Sequence, residues 1–203
     1  MAMRPLLLAL LTQLGQVLFA QHSGIGIKGG PLMSDTKSGA LTTNWIPGAS
    51  IGAYFALRAG PRMELQPELL LTSLGAGYNL PDGERSTVRT LYGQVPVSFK
   101  VYLGSVVNLQ AGALMGRLLL AQQVGPEGSN DVTASYQHWD YGAILGVGAD
   151  LMSGVDFGLR YYSGLRPVLI DDQAYFPRNR SMALSLGYRL GRLRAPKFNR
   201  KRT

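Results

Sequence analysis

The sequence contains no cysteine. That excludes disulfides, a cysteine-ligated metal, a thiol nucleophile and a lipid-modified N-terminal cysteine. Histidine is scarce, with only His22 and His138, and charged residues make up only 16% of the chain. Past the first twenty residues no stretch carries apolar side chains at a helical period. A membrane-spanning helix would need about 20 mostly apolar residues. The one candidate, starting at Leu6, is interrupted by Thr12, Gln13 and Gln16.

That opening segment, MAMRPLLLALLTQLGQVLFA, reads as a secretory signal peptide. Arg4 supplies a charged start, Leu6 to Leu11 a short apolar stretch, and Ala20 a small residue at the cut. Removing residues 1–20 from the 203 leaves about 183, enough for one domain.

Next comes Gly24-Ile25-Gly26-Ile27-Lys28-Gly29, which matches G-x-G-x-x-G. A dinucleotide loop carries that pattern between a strand and a helix, with the pyrophosphate at the helix N-terminus. Nothing strand-like precedes Gly24 and no helical period follows it. The stretch reads instead as a strand, with Ile25 and Ile27 on one face and Gly24, Gly26 and Lys28 on the other.

The formal charge of +8 is unevenly placed. Arg192, Arg194, Lys197, Arg200, Lys201 and Arg202 crowd the end without an acid among them. The 20 bases, less those six and Arg4, leave 13 against 12 acids. A nucleic-acid protein spreads basic residues over a folded face, so this tail does not point to nucleic acid. It reads as a solvated segment, residues 192–203, able to meet anionic lipid or a periplasmic protein.

What the chain has in abundance is alternation of period two, together with 26 glycines. Ile51, Phe55 and Leu57 alternate with Gly52, Tyr54 and Arg58. Met63, Leu65, Leu69 and Leu71 alternate with Glu64, Gln66 and Glu68. Val95, Val97, Phe99 and Val101 alternate with Gln94, Ser98 and Lys100. Similar runs follow at 107–116, 138–151, 155–162 and 181–190. With the segment at Gly24, eight strands are expected. Short links fall at Ala59–Pro61, Leu103–Ser105 and Ser153–Gly154. Long polar ones fall at Pro31–Pro47, Gly75–Ser86, Gln122–Gln137 and Leu165–Arg180. Tight turns on one side and long loops on the other are the pattern of a bacterial outer-membrane barrel.

A soluble barrel would bury its apolar face, whereas a membrane barrel turns it outward. Three features select the second form. The polar faces carry glycines and opposite charges (Lys28, Glu64, Glu68, Lys100, Asp140, Asp150, Asp156, Arg160 and Arg189) that can pair in a crowded interior. Several strands run to about 10 to 14 residues, and a tilted span needs about 9 to 11. Trp139, Tyr141, Tyr161 and Tyr188 fall near strand ends on the apolar face, where interfacial aromatics belong. Arg89 and Arg117, on the same face, lie toward the loop side and can snorkel. The expectation is an all-β, eight-stranded, antiparallel up-and-down transmembrane barrel over residues 21–191, closed because lipid cannot satisfy an open edge.

Gly26-Ile27-Lys28-Gly29-Gly30, Leu65-Gln66-Pro67-Glu68-Leu69-Leu70, Val95-Pro96-Val97-Ser98-Phe99-Lys100 and the run from Gly154 to Tyr161 occur in the order and spacing of a known group, as does the closing Ser185-Leu186-Gly187-Tyr188-Arg189-Leu190. The chain resembles the PorT-like outer-membrane β-barrel proteins of Bacteroidota. The resemblance implies an outer-membrane location and an accessory role such as support of protein secretion. Such barrels usually finish at an aromatic residue read by the insertion machinery, and here the basic tail follows the last strand.

Catalysis finds little support. His138 lies close to Asp140, as a general base and its orienting acid would, but no motif supplies a nucleophile. Glu64 and Glu68 share one strand face about 13 Å apart, too far for a retaining carboxylate pair. Pairing with Lys100, Arg160 or Arg189 is the plainer role. Asp171 and Asp172 are loop acids without further calcium ligands. The sequence therefore suggests no catalytic residue, no metal and no cofactor. The expected partners are outer-membrane lipid and, through the loops or tail, periplasmic or secretion-machinery proteins. A secreted soluble barrel holding an apolar ligand and a lipid-modifying enzyme are the alternatives.

Overall fold

The computed structural model describes residues 24–37, 43–79, 85–125, 128–170 and 176–190. The expected signal peptide, the basic tail, His22, Asp171 and Asp172 lie outside them. The strands are β1 (Gly24–Lys37), β2 (Thr43–Asn44), β3 (Ile46–Arg58), β4 (Met63–Asn79), β5 (Arg85–Tyr102), β6 (Val107–Gly125), β7 (Gly128–Asp131), β8 (Trp139–Asp150), β9 (Val155–Gly164) and β10 (Arg178–Arg189). One 3-10 turn, Thr133–Ser135, precedes β8.

Eight of these strands make the wall; β2 and β7 are short additions paired to the upper parts of β4 and β6. Each wall strand pairs antiparallel with its neighbours in the chain, and β1 closes the ring against β10 from Gly26↔Arg189 to Lys37↔Arg178. Closure leaves no wall strand with an unpaired edge, as a sheet facing lipid requires. The architecture is the eight-stranded antiparallel up-and-down barrel that the alternation predicts.

The alternation also sets the two faces. Ile27, Ile51, Leu69, Leu145, Leu184 and Leu186 point outward and are exposed, while Lys28, Glu64, Gln66, Ser98, Asn108 and Arg189 point inward and are buried. Gly26 and Gly187 are lumenal positions where a side chain would collide with an inward neighbour. A Cβ at Gly26 would run into the Tyr54 ring, and one at Gly187 would lie 2.5 Å from the Asp156 carboxylate. Here glycine makes room for another residue's side chain, and no phosphate-binding helix follows Gly24–Gly29.

The strands outrun the sequence expectation at the loop end. β1 continues past Pro31 to Lys37, so the expected loop at Pro31–Pro47 is in large part strand. Its ladder with β10 skips Gly30 and Pro31, where proline lacks the N–H to pair. Strands β4, β5 and β6 reach 17, 18 and 19 residues, while β8, β9 and β10 have 12, 10 and 12. Since about 9 to 11 residues span a bilayer, the β4–β6 side stands well clear of the membrane on its loop side.

In that taller half the inward face turns apolar. Leu32, Leu74, Val88, Tyr92 and Leu118 form a core inside the barrel mouth, with Tyr136 and Val168 packing down from the loops. Tyr136 pairs with Leu169 as an isolated bridge, and the Gln137 N–H donates to the Val168 carbonyl at 2.7 Å. Burial holds the Tyr136 phenol above its ordinary pKa, so it packs as a neutral group. The inward face is thus polar along the belt and apolar above it, while the outer wall of β6 beyond Arg117 still exposes Leu119 and Val124.

Candidate functional site

The lumen is the most chemically concentrated region, and simple register builds it. Glu64, Gln66 and Glu68 alternate on β4 and all face inward. Lys100 on β5 lies directly opposite Glu64 in the ladder. Lys28, Arg160 and Arg189 arrive from β1, β9 and β10.

At the turn end, Arg189 donates from Nη1 to Glu64 Oε2 at 3.0 Å and from Nη2 to Asp150 Oδ2 at 3.1 Å. Lys100 Nζ lies 3.1 Å from Asp150 Oδ2 and 3.9 Å from Glu64 Oε1. The Tyr102 hydroxyl and the Asn108 amide also donate to Asp150, at 2.6 and 3.0 Å. Two carboxylates and two cations therefore share one buried layer.

One level deeper, Glu68 accepts from Lys28 at 3.0 Å, from Gln66 at 2.6 Å, and from both Arg160 Nη atoms at 2.8 and 2.6 Å. Arg160 Nε donates to Gln110 Oε1 at 2.7 Å. Strands β4 and β9 are four apart in a ring of eight, so Glu68 and Arg160 meet across the diameter. Tyr54 ties the layers together. It is 0% exposed, its ring lies 5.3 Å from Lys28 and 5.7 Å from the Arg189 guanidinium, and its hydroxyl donates to Asp156 at 2.5 Å.

The four cations Lys28, Lys100, Arg160 and Arg189 thus face the four acids Glu64, Glu68, Asp150 and Asp156, all buried. Such a set is tolerable in a low-dielectric interior only when paired and hydrogen-bonded. Asp140 stands apart, nearer the loops. It accepts from Asn179 at 2.8 Å, and Oδ1 has no partner among the described residues. His138 is exposed, and no hydrogen bond among the described residues links it to Asp140. No group of three or more potential metal ligands occurs among the described residues.

The outer wall has its own order. Outward residues from Ile25 to Met33 on β1, Val107 to Met115 on β6, and Leu190 to Met182 on β10 carry no charge. Each run takes eight steps, about 27 Å along the strand and roughly 21 Å at a tilt near 40°. The next outward residues are Asp35, Arg117 and Arg180. Each arginine packs over a tryptophan: Arg117 lies 5.9 Å from the Trp139 ring and Arg180 lies 5.0 Å from the Trp45 ring. Arg180 also binds Asp35, with Nη2 at 2.6 Å and Nε at 3.1 Å from Oδ2.

Trp139 and Tyr141 lie on the loop side, Tyr161 pairs with Met182 near the same level, and Tyr188 lies at the turn end beside Val155. Phe55, Phe99 and Phe157 are exposed on the outer wall a few residues from each tight turn, completing the turn-side aromatics with Tyr188. Sequence reasoning placed those phenylalanines on the apolar face without seeing that the turns bring them to one level. Asp35 and Trp45 fall in the expected loop at Pro31–Pro47, and Arg180 ends the one at Leu165–Arg180, so the alternation did not bring them out.

The family model for the outer membrane protein beta-barrel domain matches residues 19–169. Among solved structures, the chain is similar to neisserial surface protein A at 12% identity and a TM-score of 0.51, covering 81% of this chain and 96% of that one. It is similar also to Ail, the attachment invasion locus protein of Yersinia pestis, in complex with the heparin analogue sucrose octasulfate. There the identity is 14% and the TM-score 0.51, over 83% of this chain and 99% of that one. At such identities these structures speak to the fold alone. No curated protein sequence matches the chain. A closed barrel with an apolar jacket and a charged interior, matched over most of its length by that family model, belongs to the outer membrane protein beta-barrel domain family and resides in the outer membrane.

Proposed function

We propose that the protein is a non-enzymatic structural or accessory barrel, which holds a rigid, plugged body in the outer membrane and offers its loop end to other molecules. One observation carries this reading: Arg160 and Glu68 join opposite walls through two hydrogen bonds, at 2.8 and 2.6 Å, and block the lumen at mid-depth. The charged layer at the turn end and the apolar core at the mouth block it twice more. A porin needs a water-filled interior, and among the described residues no hydrogen bond joins His138 to Asp140 as a general base to its orienting acid.

On this reading the three tight turns and both ends of the barrel face the periplasm, and the long loops face outward. The PorT-like resemblance favours an accessory role in secretion, with the loops or the basic tail making the contact. Residues 1–20 act as the export signal.

The test is conductance. Purified protein inserted in planar bilayers should give no steady open-channel steps in 1 M KCl, although its folding is verified by a heat-dependent gel shift. Stable steps of porin size would overturn the reading.

A further inference from the structure

Just above the apolar belt, where β1 meets β10, two cations oppose each other. Lys37 and Arg178 are directly paired in the ladder, and both are exposed on the outer wall. Like charges opposite each other destabilise a sheet, and among the described residues neither makes an ion pair. Two residues nearer the membrane, Asp35 pairs with Arg180. Asp35 is 1% exposed although it occupies an outward position; its Oδ2 accepts from Arg180 and its Oδ1 from the Thr36 N–H. Both carboxylate oxygens are thus engaged, so neither is turned to the pair above. Among the described residues the patch therefore carries two positive charges without an ion-pair partner beside a third that is fixed in place.

Its height matters. Met33 and Met182 are the last apolar outward residues on these strands and are themselves paired. Lys37 and Arg178 lie four residues beyond, about 13 Å along the strand and roughly 10 Å along the membrane normal. Headgroups extend roughly 5 to 8 Å beyond the hydrocarbon on each side. Both side chains are long enough to reach back to that layer. A fixed guanidinium with two neighbouring cations suits a compact anion with several acceptor oxygens.

We propose that Lys37, Arg178 and Arg180 form a clasp for the phosphate monoester of a membrane lipid in the loop-side leaflet. Asp35 and Trp45 position Arg180, and the acyl chains lie against Met33 and Met182. The clasp gives the barrel a fixed lipid neighbour on its β1–β10 side. It rests on the membrane placement and not on the proposed accessory role, so a conducting barrel could still carry it.

The experiment is native mass spectrometry of the mature protein, folded in zwitterionic detergent and titrated with phosphatidic acid, phosphatidylcholine or inorganic phosphate. Phosphatidic acid should be retained and phosphatidylcholine should not. The double variant K37A/R178A should weaken retention on the order of tenfold, while R89A, which removes an exposed cation from the far side of the wall on β5, should leave it unchanged. The heat-dependent gel shift verifies that each variant folds. Equal retention by the double variant, equal loss in R89A, equal binding of phosphatidylcholine, or displacement of the lipid by equimolar inorganic phosphate would each overturn the proposal.

Discussion

Arg160 and Glu68 stand four strands apart in a ring of eight and meet in the middle of it, with guanidinium nitrogens 2.6 and 2.8 Å from the two carboxylate oxygens. The pair is a strut across the lumen, and Lys28, Gln66 and Gln110 brace it. Its energetics follow from burial. Charges removed from water must be returned to a partner, and loss of one partner leaves the other stranded.

Replacing Glu68 by Gln should therefore destabilise the barrel by about 3 to 5 kcal/mol, because Lys28 and Arg160 are left facing each other without an anion. Urea unfolding in lipid vesicles measures it. E68L/R160L should cost less than E68Q alone, since the double change removes the stranded charge. An equal or larger loss in the double variant would show that packing, not charge, sets the stability here.

The space at Gly26 is taken by the Tyr54 ring. Gly26→Ala should force the ring aside, loosen its 2.5 Å bond to Asp156, and cost about 1 to 3 kcal/mol. Tyr54→Phe, which keeps the ring and loses the hydroxyl, should cost roughly 1.5 to 3 kcal/mol. The same unfolding measurement applies. Because both changes act through the Tyr54–Asp156 contact, their effects should be less than additive in the double variant.

Leu145 is 63% exposed near the middle of the outer belt. Leu145→Arg should destabilise the inserted barrel by about 2 to 4 kcal/mol. The effect should be absent in a detergent-free aqueous fold, which this protein is not expected to reach. Arg117→Leu, at the belt's upper edge, should stay within about 1 kcal/mol of the parent, losing the stacking on Trp139.

How much of this was legible in the sequence follows from what one residue's neighbours can reveal. The alternation of Glu64, Gln66 and Glu68 with Leu65 and Leu69 fixes which side chains share a face, because successive strand residues point oppositely. The eight strands and three tight turns are read the same way. The partner of Glu68 is not, since Arg160 reaches it through ring closure and stagger, which no local pattern carries. Pro31 and Pro47 signalled a loop, yet the chain remains a strand through them. The lost N–H falls where the β1–β10 ladder is already interrupted. That misplacement hid Asp35 and Trp45, and Arg180 was hidden at the end of the expected loop at Leu165–Arg180. The apolar core of Leu32, Leu74, Val88 and Leu118 was hidden for another reason. An inward leucine and an outward one look alike in sequence, and only the height of the residue above the membrane tells which is buried.

The account depends most on which face of the wall meets lipid. The chain has no native cysteine, so single spin labels can be placed at Leu69→Cys, Leu145→Cys and Leu184→Cys on the outer wall and at Ser98→Cys and Ser185→Cys in the lumen. In lipid vesicles, collision with oxygen and with a water-soluble nickel chelate should separate the two sets. The account predicts that the outer labels meet oxygen and exclude nickel, while the lumenal labels are immobilised and meet little of either. Nickel access at Leu69, Leu145 and Leu184 matching that of a water-exposed site would contradict it.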